Sequence, residues 1–484
     1  MTGSLRPVFY AIGAMVGVLG LMMFIPGILD LADGNNATAD AFLLSGVLTT
    51  FMGGAVMLAM RSEVKGLTPR AAFVLTVGAW VALCLAAALP LHLSDEGLNW
   101  TDAIFEAVSG LTTTGSTILT GLDERPDGIL IWRAILQWIG GIGIIVTAMA
   151  FWPMLGIGGM QLFRMESSDA SDKVLPRAQE IASAISLIYL ALTVTCAIAY
   201  GLTGMSWLES IAHAMTTVAT GGYSTSDDSL GAFTQGGSDL VALTFMLLAA
   251  LPFGIFLLAL RGKPGALWKD AQVRGFFVIV LVATLGFTFF LASTDAHGDG
   301  SALRVASFNV VSIITGTGFA TADYDGWGPP AQAAFFVFMF IGGCAGSTTC
   351  SVKIFRYQIA GSAMRRYMEN LLRPNAIIPI RYNGRSVADS ALHSVFGFFF
   401  VFFAVYAVSA ALLSLIGLDT TTALSGAATS LANVGPGLGE MIGPSGTFAD
   451  LPDTAKWVLT GNMLIGRLEV LAVLVFLSPR FWRY

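Results

Sequence analysis

Ten apolar runs, each about 20 residues long or longer, recur along the whole chain of 484 residues. A run of this length is what an α-helix needs to cross the hydrocarbon core of a bilayer. Only 12% of the residues are charged, against about 25% in an average soluble chain. The pattern therefore predicts an all-α integral membrane protein with ten transmembrane helices, at residues 8–29, 39–60, 70–92, 128–155, 181–204, 239–260, 273–293, 331–359, 388–416 and 455–478.

Four shorter, half-polar stretches with helical character interrupt this series, each between two long runs. They lie at residues 100–111, 206–217, 302–314 and 420–431. A dozen residues at 1.5 Å per residue reach about 18 Å, whereas the hydrocarbon core is about 30 Å thick. These stretches are therefore predicted to be re-entrant or interfacial helices.

A related loop follows each short helix, and we call these four segments the glycine loops. If Gly115, Gly221, Gly318 and Gly435 are equivalent, they are separated by 106, 97 and 117 residues. This spacing indicates a fourfold internal repeat of long helix, short helix, loop and long helix. The loops read Thr112-Thr113-Thr114-Gly115-Ser116, Ala219-Thr220-Gly221-Gly222-Tyr223, Thr315-Gly316-Thr317-Gly318-Phe319 and Asn433-Val434-Gly435-Pro436-Gly437.

The repeat predicts a division of the chain into five parts. Two extra N-terminal helices precede four pseudo-equivalent units, which are expected to surround a central pore. The predicted boundaries are 1–66 for the extra helices, then 67–165, 166–265, 266–375 with a broken second helix, and 376–484.

The basic residues predict the orientation in the membrane. All 25 Lys and Arg residues except Arg125, Arg133, Arg304, Lys456 and Arg467 fall on one side of the predicted spans. Because cytoplasmic loops carry the excess of Lys and Arg, this side is predicted to be cytoplasmic, together with both termini. The glycine loops then enter from the opposite side, where most of the 31 acidic residues also lie.

The composition of the glycine loops is typical of a backbone cation filter. Irregular backbone at membrane depth is tolerated only where protein buries it or where it lines a watery cavity. Glycine permits the positive φ angles that a ring of inward carbonyls requires, and such a ring can replace the water shell of K⁺. The alternative is that these small residues merely let helices pack closely. The candidate K⁺-binding residues are Thr113, Thr114, Gly115, Thr220, Gly221, Thr317, Gly318, Val434 and Gly435.

Two further features point to a gate below such a filter. The run from Ile341 to Lys353, IGGCAGSTTCSVK, lies inside a predicted span, and its glycines and hydroxyls disfavour a regular helix. Arg467 lies in the middle of the last span, where a charge is costly and is by default functional. A structural salt bridge to another span is the alternative explanation for Arg467.

These motifs resemble the TrkH/KtrB/HKT superfamily of potassium transporters, and most of all its bacterial TrkH branch. The resemblance covers essentially the whole chain, and it is carried by the four glycine loops and by the highly specific run from Ile341 to Lys353. It implies K⁺ uptake across the bacterial inner membrane through a channel-like pore, and an arginine facing the pore at Arg467. The gate residues that it implies are Gly342, Gly343, Gly346, Ser347, Thr348, Lys353 and Arg467.

The resemblance also implies partners. A homodimer in membrane lipid, regulated by a cytosolic TrkA-like subunit that binds NAD or ATP/ADP, is expected, with no organic cofactor in this chain and no nucleic acid. The family tends to place more glycine where this chain has Thr349, Cys350 and Ser351, which predicts a stiffer gate loop.

Other interpretations stay open or are disfavoured. A K⁺ symporter coupled to H⁺ or Na⁺ by alternating access is the main alternative, and it predicts inverted rather than parallel repeats. An enzyme is not expected, because the four His and four Cys residues show no metal-site or catalytic spacing. The polar residues of the short helices are predicted to brace the loops from behind by hydrogen bonding, at Glu106, His213, Asn309 and Ser425.

Overall fold

The computed structural model describes residues 5–61, 68–94, 97–150, 174–294 and 301–483. Within these ranges, seven helices are long and apolar enough to cross a membrane, or up to nine if each of two sharply bent helix pairs counts as one span. A further predicted span, at residues 331–359, is broken into two helices with irregular backbone between them. The all-α, many-span architecture is therefore as predicted. The end of the predicted span 128–155 lies partly outside the described residues.

Three helices form the N-terminal part of the fold, and they pack closely on one another through small residues. A methyl group added at Gly13 would lie 2.8 Å from the Gly53 carbonyl oxygen, so the two helices approach at their backbones. The helices are α1 (Arg6–Met22), α2 (Phe24–Ala32) and α3 (Asn36–Ala59).

The remaining helices repeat one order of long helix, short buried helix, loop and long helix. The next seven are α4 (Pro69–Leu93), α5 (Trp100–Leu111), α6 (Asp127–Ala150), α7 (Val174–Leu202), α8 (Trp207–Val218), α9 (Ser238–Ala249) and α10 (Phe253–Leu260). They are followed by α11 (Ala266–Lys269), α12 (Ala271–Thr294), α13 (Ala302–Ile314), α14 (Pro329–Phe338) and α15 (Ile354–Leu372). The strands β1 (Arg381–Tyr382) and β2 (Arg385–Ser386) form a small antiparallel hairpin. The last helices are α16 (Asp389–Ile416), α17 (Thr420–Ala432), α18 (Asp453–Arg467), α19 (Val470–Leu477) and α20 (Pro479–Arg483).

The four short helices α5, α8, α13 and α17 begin and end within one residue of their predicted positions. Each begins directly after a residue whose side chain caps it: Asn99, Ser206, Ser301 and Asp419 accept a hydrogen bond from the backbone N–H three residues later. Such capping satisfies one of the N–H groups that a helix start leaves unpaired. Hydrogen bonding to Thr422 also lowers the pKa of the Asp419 carboxyl below its ordinary value.

Three of the second long helices are interrupted, although only one interruption was predicted. The expected break in 331–359 is confirmed, with irregular backbone between α14 and α15. The predicted continuous spans 239–260 and 455–478 are also broken, between α9 and α10 and between α18 and α19. Pro252 precedes α10 directly and supplies no N–H for a continuous helix. Glu469, between α18 and α19, has a left-handed φ of +62°, and the two helices are bent by 108°.

The core surrounds the short helices. One buried apolar cluster lies mainly between α7 and α15, and a second joins the N-terminal helices and α4–α6 to α16–α18. The long helices turn apolar side chains outward, for example Phe51, Phe289 and Leu415, which are 73%, 79% and 83% exposed. An apolar exterior of this kind is what lipid contact requires, whereas water would disfavour it.

Candidate functional site

The four glycine loops share one backbone conformation. The middle residues Thr114, Gly221, Thr317 and Val434 donate their N–H groups to the carbonyls of Ser109, Thr216, Ser312 and Thr429, at 2.9–3.0 Å. Each middle residue is flanked by two residues with positive φ. The preceding ones are Thr113, Thr220, Gly316 and Asn433, with φ between +51° and +69°, and the following ones are Gly115, Gly222, Gly318 and Gly435, with φ between +75° and +113°.

This repeated conformation corrects the register of the second loop. Gly222, with φ of +75°, takes the position of Gly115, Gly318 and Gly435, whereas Gly221 takes the position of Thr114. The alignment of the four internal repeats by sequence had matched Gly221 to Gly115. It was wrong by one residue because the second loop contains two adjacent glycines, and only the backbone conformation distinguishes them.

The loops contact one another in a closed order. A methyl group added at Gly115 would overlap the Gly221 carbonyl oxygen of the second loop. In the same way, Gly222 abuts the carbonyl oxygen of Thr317, Gly318 abuts that of Val434, and Gly435 abuts that of Thr114. The contacts thus run from the first loop to the second, third and fourth, and return to the first. The four loops therefore form a closed ring, in which a glycine of each loop lies against an equivalent carbonyl oxygen of the next.

The hydroxyl groups of the loops mostly bond within the loops. The hydroxyls of Thr112 and Thr114 lie 2.7 Å apart, as do those of Thr315 and Thr317. The Thr220 hydroxyl donates to the Ala219 carbonyl oxygen at 2.7 Å. Within the described part of the chain, the buried Thr113 hydroxyl has no hydrogen-bond partner. The hydroxyl groups therefore differ from loop to loop, whereas the backbone carbonyl oxygens occupy equivalent positions in all four loops.

A polar residue of each short helix bonds to the chain just beyond its own loop. The prediction that Glu106, His213, Asn309 and Ser425 brace the loops by hydrogen bonding is confirmed. Glu106 accepts from the Ile118 N–H at 3.0 Å, and the His213 Nε2 atom lies 3.0 Å from the Ser224 hydroxyl. Asn309 donates to the Thr321 hydroxyl at 3.1 Å, and Ser425 accepts from the Leu438 N–H at 2.9 Å.

The broken segment between α14 and α15 docks against the break in the neighbouring span. Cys344 N–H donates to the Ala250 carbonyl at 3.1 Å, and Phe253 N–H donates to the Gly346 carbonyl at 2.9 Å. The segment is closed on itself by a bond from Gly342 N–H to the Val352 carbonyl at 2.9 Å. A methyl group at Gly316 would lie 3.9 Å from the Cys350 nitrogen. The broken segment therefore lies next to the third glycine loop.

Arg467 holds this segment to the first repeat through hydrogen bonds to backbone carbonyls. It is 2% exposed, donates to the Gly140 carbonyl at 2.9 Å and to the Thr348 carbonyl at 3.3 Å, and contacts the Cys350 sulfur. Among the described ion pairs none includes Arg467, so the alternative of a salt bridge to another span is not supported there. Its guanidinium links three backbone segments that belong to different spans.

Several charged residues assigned to loops by the orientation argument are buried inside the fold. Arg133 and Lys456 lie in α6 and α18, at 1% and 4% exposure. Lys353 is the last residue of the broken segment and is 3% exposed. Arg356 lies in the first turn of α15 and is 0% exposed. They are buried because each has a partner: Arg133 pairs with Glu106, Lys456 with Asp102, Arg356 with Glu469, and Lys353 bonds to the Thr349 carbonyl.

Comparisons with known proteins identify the family. The model of the TrkH family, described as cation transport protein, matches residues 39–484. The chain belongs to the TrkH family of cation transport proteins. The Trk system potassium uptake protein TrkI of Halomonas elongata is 45% identical over 100% of this chain and 99% of that protein. The corresponding TrkH protein of Escherichia coli K12 is 37% identical over 98% of this chain and 99% of that protein.

A solved structure agrees with this assignment. The crystal structure of the potassium transporter TrkH from Vibrio parahaemolyticus matches with a TM-score of 0.90 at 35% identity, covering 99% of both chains. The resemblance inferred from the motifs is thereby confirmed, as is the all-α membrane architecture. TrkH family members are transporters and not enzymes, which also confirms that expectation. In the described residues, no group of three or more His, Cys, Asp or Glu side chains could hold a metal ion.

Sequence reasoning missed four residues that the TrkH fold brings to the site. They are Gly222, Gln137, Arg133 and Glu469. The spacing of Arg133 and Gln137, four residues apart on α6, was a usable signal, since it places both on one helix face. Nothing local indicated that this face meets the first and second glycine loops. Glu469 pairs with Arg356, which lies 113 residues away in the chain.

Proposed function

We propose that this TrkH family member takes up K⁺ through a pore whose selectivity filter is built by the four glycine loops. The single observation that carries this proposal is the closed order of contacts between the loops. Four equivalent carbonyls held side by side provide the oxygen-rich environment that replaces the hydration shell of K⁺. Full-length relatives that are named as potassium uptake proteins support K⁺ as the transported ion.

The filter proposal assigns K⁺ coordination to Thr113, Thr114, Gly115, Thr220, Gly221, Thr317, Gly318, Val434 and Gly435, and now adds Gly222. In this assignment the ion is bound by backbone oxygens of all four loops. The short helices direct the negative ends of their dipoles toward the same region, which favours a cation. No organic cofactor takes part in this role.

The gating proposal assigns the barrier below the filter to the broken segment and Arg467. Gly342, Gly343, Gly346, Ser347, Thr348 and Lys353 belong to this segment, which lies beside the third loop. In the described part of the chain this buried guanidinium bonds to backbone carbonyls and a thiol and to no carboxylate, so it places a positive charge near the path. Such a charge repels K⁺ until the segment moves.

The wider assembly is part of the same proposal. We propose a bacterial inner-membrane location with both termini in the cytoplasm, a homodimer in lipid, and control by a cytosolic TrkA-like subunit that binds NAD or ATP/ADP. The relatives are named as parts of a Trk system, which supports a separate regulatory component. The pore repeats are proposed to be 67–165, 166–265, 266–375 and 376–484, after the extra helices of 1–66.

Ion flux from purified protein in liposomes tests the function. We expect K⁺ and Rb⁺ to pass down their gradients, with Na⁺ passing more slowly. Absence of K⁺ and Rb⁺ flux under every gradient, with and without the regulatory subunit, would contradict K⁺ transport. Flux that stops when both the H⁺ and Na⁺ gradients are removed would instead indicate the coupled symporter. Uncoupled flux is expected here, because the loops close one ring within one chain.

Arg467→Ala tests the gate. Removing the guanidinium frees the Gly140 and Thr348 carbonyls and removes the positive charge, so basal Rb⁺ flux without the regulatory subunit should rise severalfold. Arg467→Lys keeps the charge and should stay close to the wild-type basal rate. A folded Arg467→Ala protein that passes less Rb⁺ than wild type would contradict the barrier role.

A further inference from the structure

The second glycine loop is held differently from the other three, by a buried glutamine. Gln137 lies on α6 and is 0% exposed. Its amide nitrogen donates to the Gly221 carbonyl oxygen at 2.7 Å, and its amide oxygen accepts from the Tyr223 N–H at 3.1 Å. The orientation of the amide is determined by these partners, since a carbonyl can only accept and a backbone N–H can only donate. One side chain therefore clamps the backbone on both sides of Gly222.

The same helix face fixes the chain beyond this clamp. Arg133, one turn earlier on α6, donates to the Ser224 carbonyl at 2.9 Å and to Glu106 at 2.8 Å. Its guanidinium lies 4.0 Å from the centroid of the Tyr223 ring. The fit is close, because a methyl group at Gly221 would overlap the Gln137 amide. Gln137 is therefore closely packed, and its neighbours fix its position.

The clamp makes the ring of four carbonyls unequal. Gly221 is the residue equivalent to Thr114, Thr317 and Val434, whose carbonyls complete the ring. In the described part of the chain, no side chain donates a hydrogen bond to these three carbonyls, whereas Gly221 receives one from Gln137. A donated hydrogen bond engages one lone pair of the oxygen and holds the carbonyl in place.

From this asymmetry we infer that Gln137 is a positioning residue for ion discrimination, an inference that rests on the proposed filter. Na⁺ is smaller than K⁺, so its coordination by the ring requires carbonyls to move inward. A Gly221 carbonyl tied to a buried amide resists that movement, which leaves Na⁺ undercoordinated while K⁺ is accommodated. Without the amide, the second loop is free to close on the smaller ion.

The test compares Gln137→Leu and Gln137→Met with wild type in proteoliposomes. Both variants keep roughly the volume of the side chain and lose both hydrogen bonds to the loop. The measurement is the ratio of Rb⁺ to Na⁺ flux through the same preparation. We expect this ratio to fall about fivefold, which corresponds to one buried hydrogen bond of about 1 kcal/mol. A purely structural loss would lower the amount of active protein and leave the ratio unchanged.

Gln358→Leu is the matched control. Gln358 also donates its amide to a backbone carbonyl at 2.7 Å, that of Ala271, away from the glycine loops. Its loss should leave the Rb⁺ to Na⁺ ratio unchanged. An unchanged ratio in both Gln137 variants would overturn the inference while leaving K⁺ transport intact. Wild-type protein that passes Rb⁺ and Na⁺ equally would instead contradict the proposed filter itself.

Stability in detergent supplies a second readout that needs no flux. Wild-type protein should be stabilised against heating more by K⁺ than by Na⁺, because bound ligand stabilises the folded state. In Gln137→Leu and Gln137→Met, this difference in midpoint temperature between the two salts should shrink. A variant with the full wild-type difference between K⁺ and Na⁺ would count against the clamp.

Discussion

At the scale of single residues, the site depends on four glycines, because their positions have no room for a side chain. Gly115, Gly222, Gly318 and Gly435 each lie against a carbonyl of the next loop, so a β-carbon at any of them would push two loops apart. Their backbone also has positive φ, which L-residues with side chains adopt at a cost of about 1–2 kcal/mol. Glycine is therefore required at these positions for two independent reasons.

Gly222→Ala tests the corrected register of the second loop. The added methyl group would overlap the Thr317 carbonyl oxygen, so we expect a loss of Rb⁺ over Na⁺ discrimination and a lower midpoint temperature of unfolding in detergent. Gly286→Ala is the control, because Gly286 lies within α12 with open space around it. That substitution should be neutral or stabilise the protein by up to about 1 kcal/mol. Equal behaviour of the two variants would contradict the proposed role of Gly222.

At the scale of elements, three of the second long helices are broken, and residues of other helices hold the break in the last one. The break between α18 and α19 is held by Glu469, whose carboxylate lies 2.6 Å from Arg356 at the start of α15. The Arg356 guanidinium also lies 3.7 Å from the centroid of the Phe398 ring in α16. Three helices therefore meet at one buried ion pair, directly beside the broken segment. The pair connects the bend in the last span to the end of that segment.

Glu469→Gln should be strongly destabilising. It removes the carboxylate that pairs with the buried Arg356 guanidinium, and removal of one partner of a buried ion pair costs about 3–5 kcal/mol. The measurement is the thermal unfolding midpoint of the detergent-solubilised protein. The double variant Arg356→Met with Glu469→Gln should recover much of the loss, because the guanidinium is removed together with its carboxylate partner.

An exposed ion pair provides the control for this prediction. Arg366 and Asp389 lie 3.4 Å apart, with side chains 31% and 75% exposed. Asp389→Asn should change the unfolding free energy by less than about 1 kcal/mol, as expected for a solvent-screened pair. If Glu469→Gln were as mild as Asp389→Asn, the bend in the last span would not depend on the ion pair.

At the scale of the whole molecule, a buried carboxylate adds a polar link between the N-terminal helices and the first repeat. Asp30, in α2, is 0% exposed and accepts a hydrogen bond of 2.6 Å from the Gly128 N–H. Gly128 is the second residue of α6, where N–H groups lack helical partners and a negative charge is favoured. The family match begins at residue 39, so α1 and α2 lie outside it. Asp30 attaches these helices to the helix that also carries Arg133 and Gln137.

Asp30→Ala should loosen this attachment. The buried Gly128 N–H loses its acceptor, so we expect the unfolding free energy to fall by about 1–3 kcal/mol. Asp30→Asn keeps an acceptor oxygen and should be milder. Asp33→Ala removes an exposed carboxylate three residues away and should have little effect. A larger loss for Asp33→Ala than for Asp30→Ala would contradict the proposed attachment.

The sequence by itself determined the parts of this protein that depend on local chemistry. Long apolar runs can only be satisfied as helices in lipid, and the four short helices carry their own caps at Asn99, Ser206, Ser301 and Asp419. The glycine loops and the broken segment were visible because their residues disfavour regular helix. The family also followed from these local motifs.

Only the tertiary structure decided which residues meet across the repeats. The register of Gly222, the clamp of Gln137 on Gly221, and the pairing of Arg356 with Glu469 each join positions about 80 residues or more apart. The breaks at Pro252 and Glu469 likewise lie in runs that read as continuous helices. Hydropathy describes how each run meets lipid, but these contacts form between buried groups that never meet lipid, so their partners are set by packing alone.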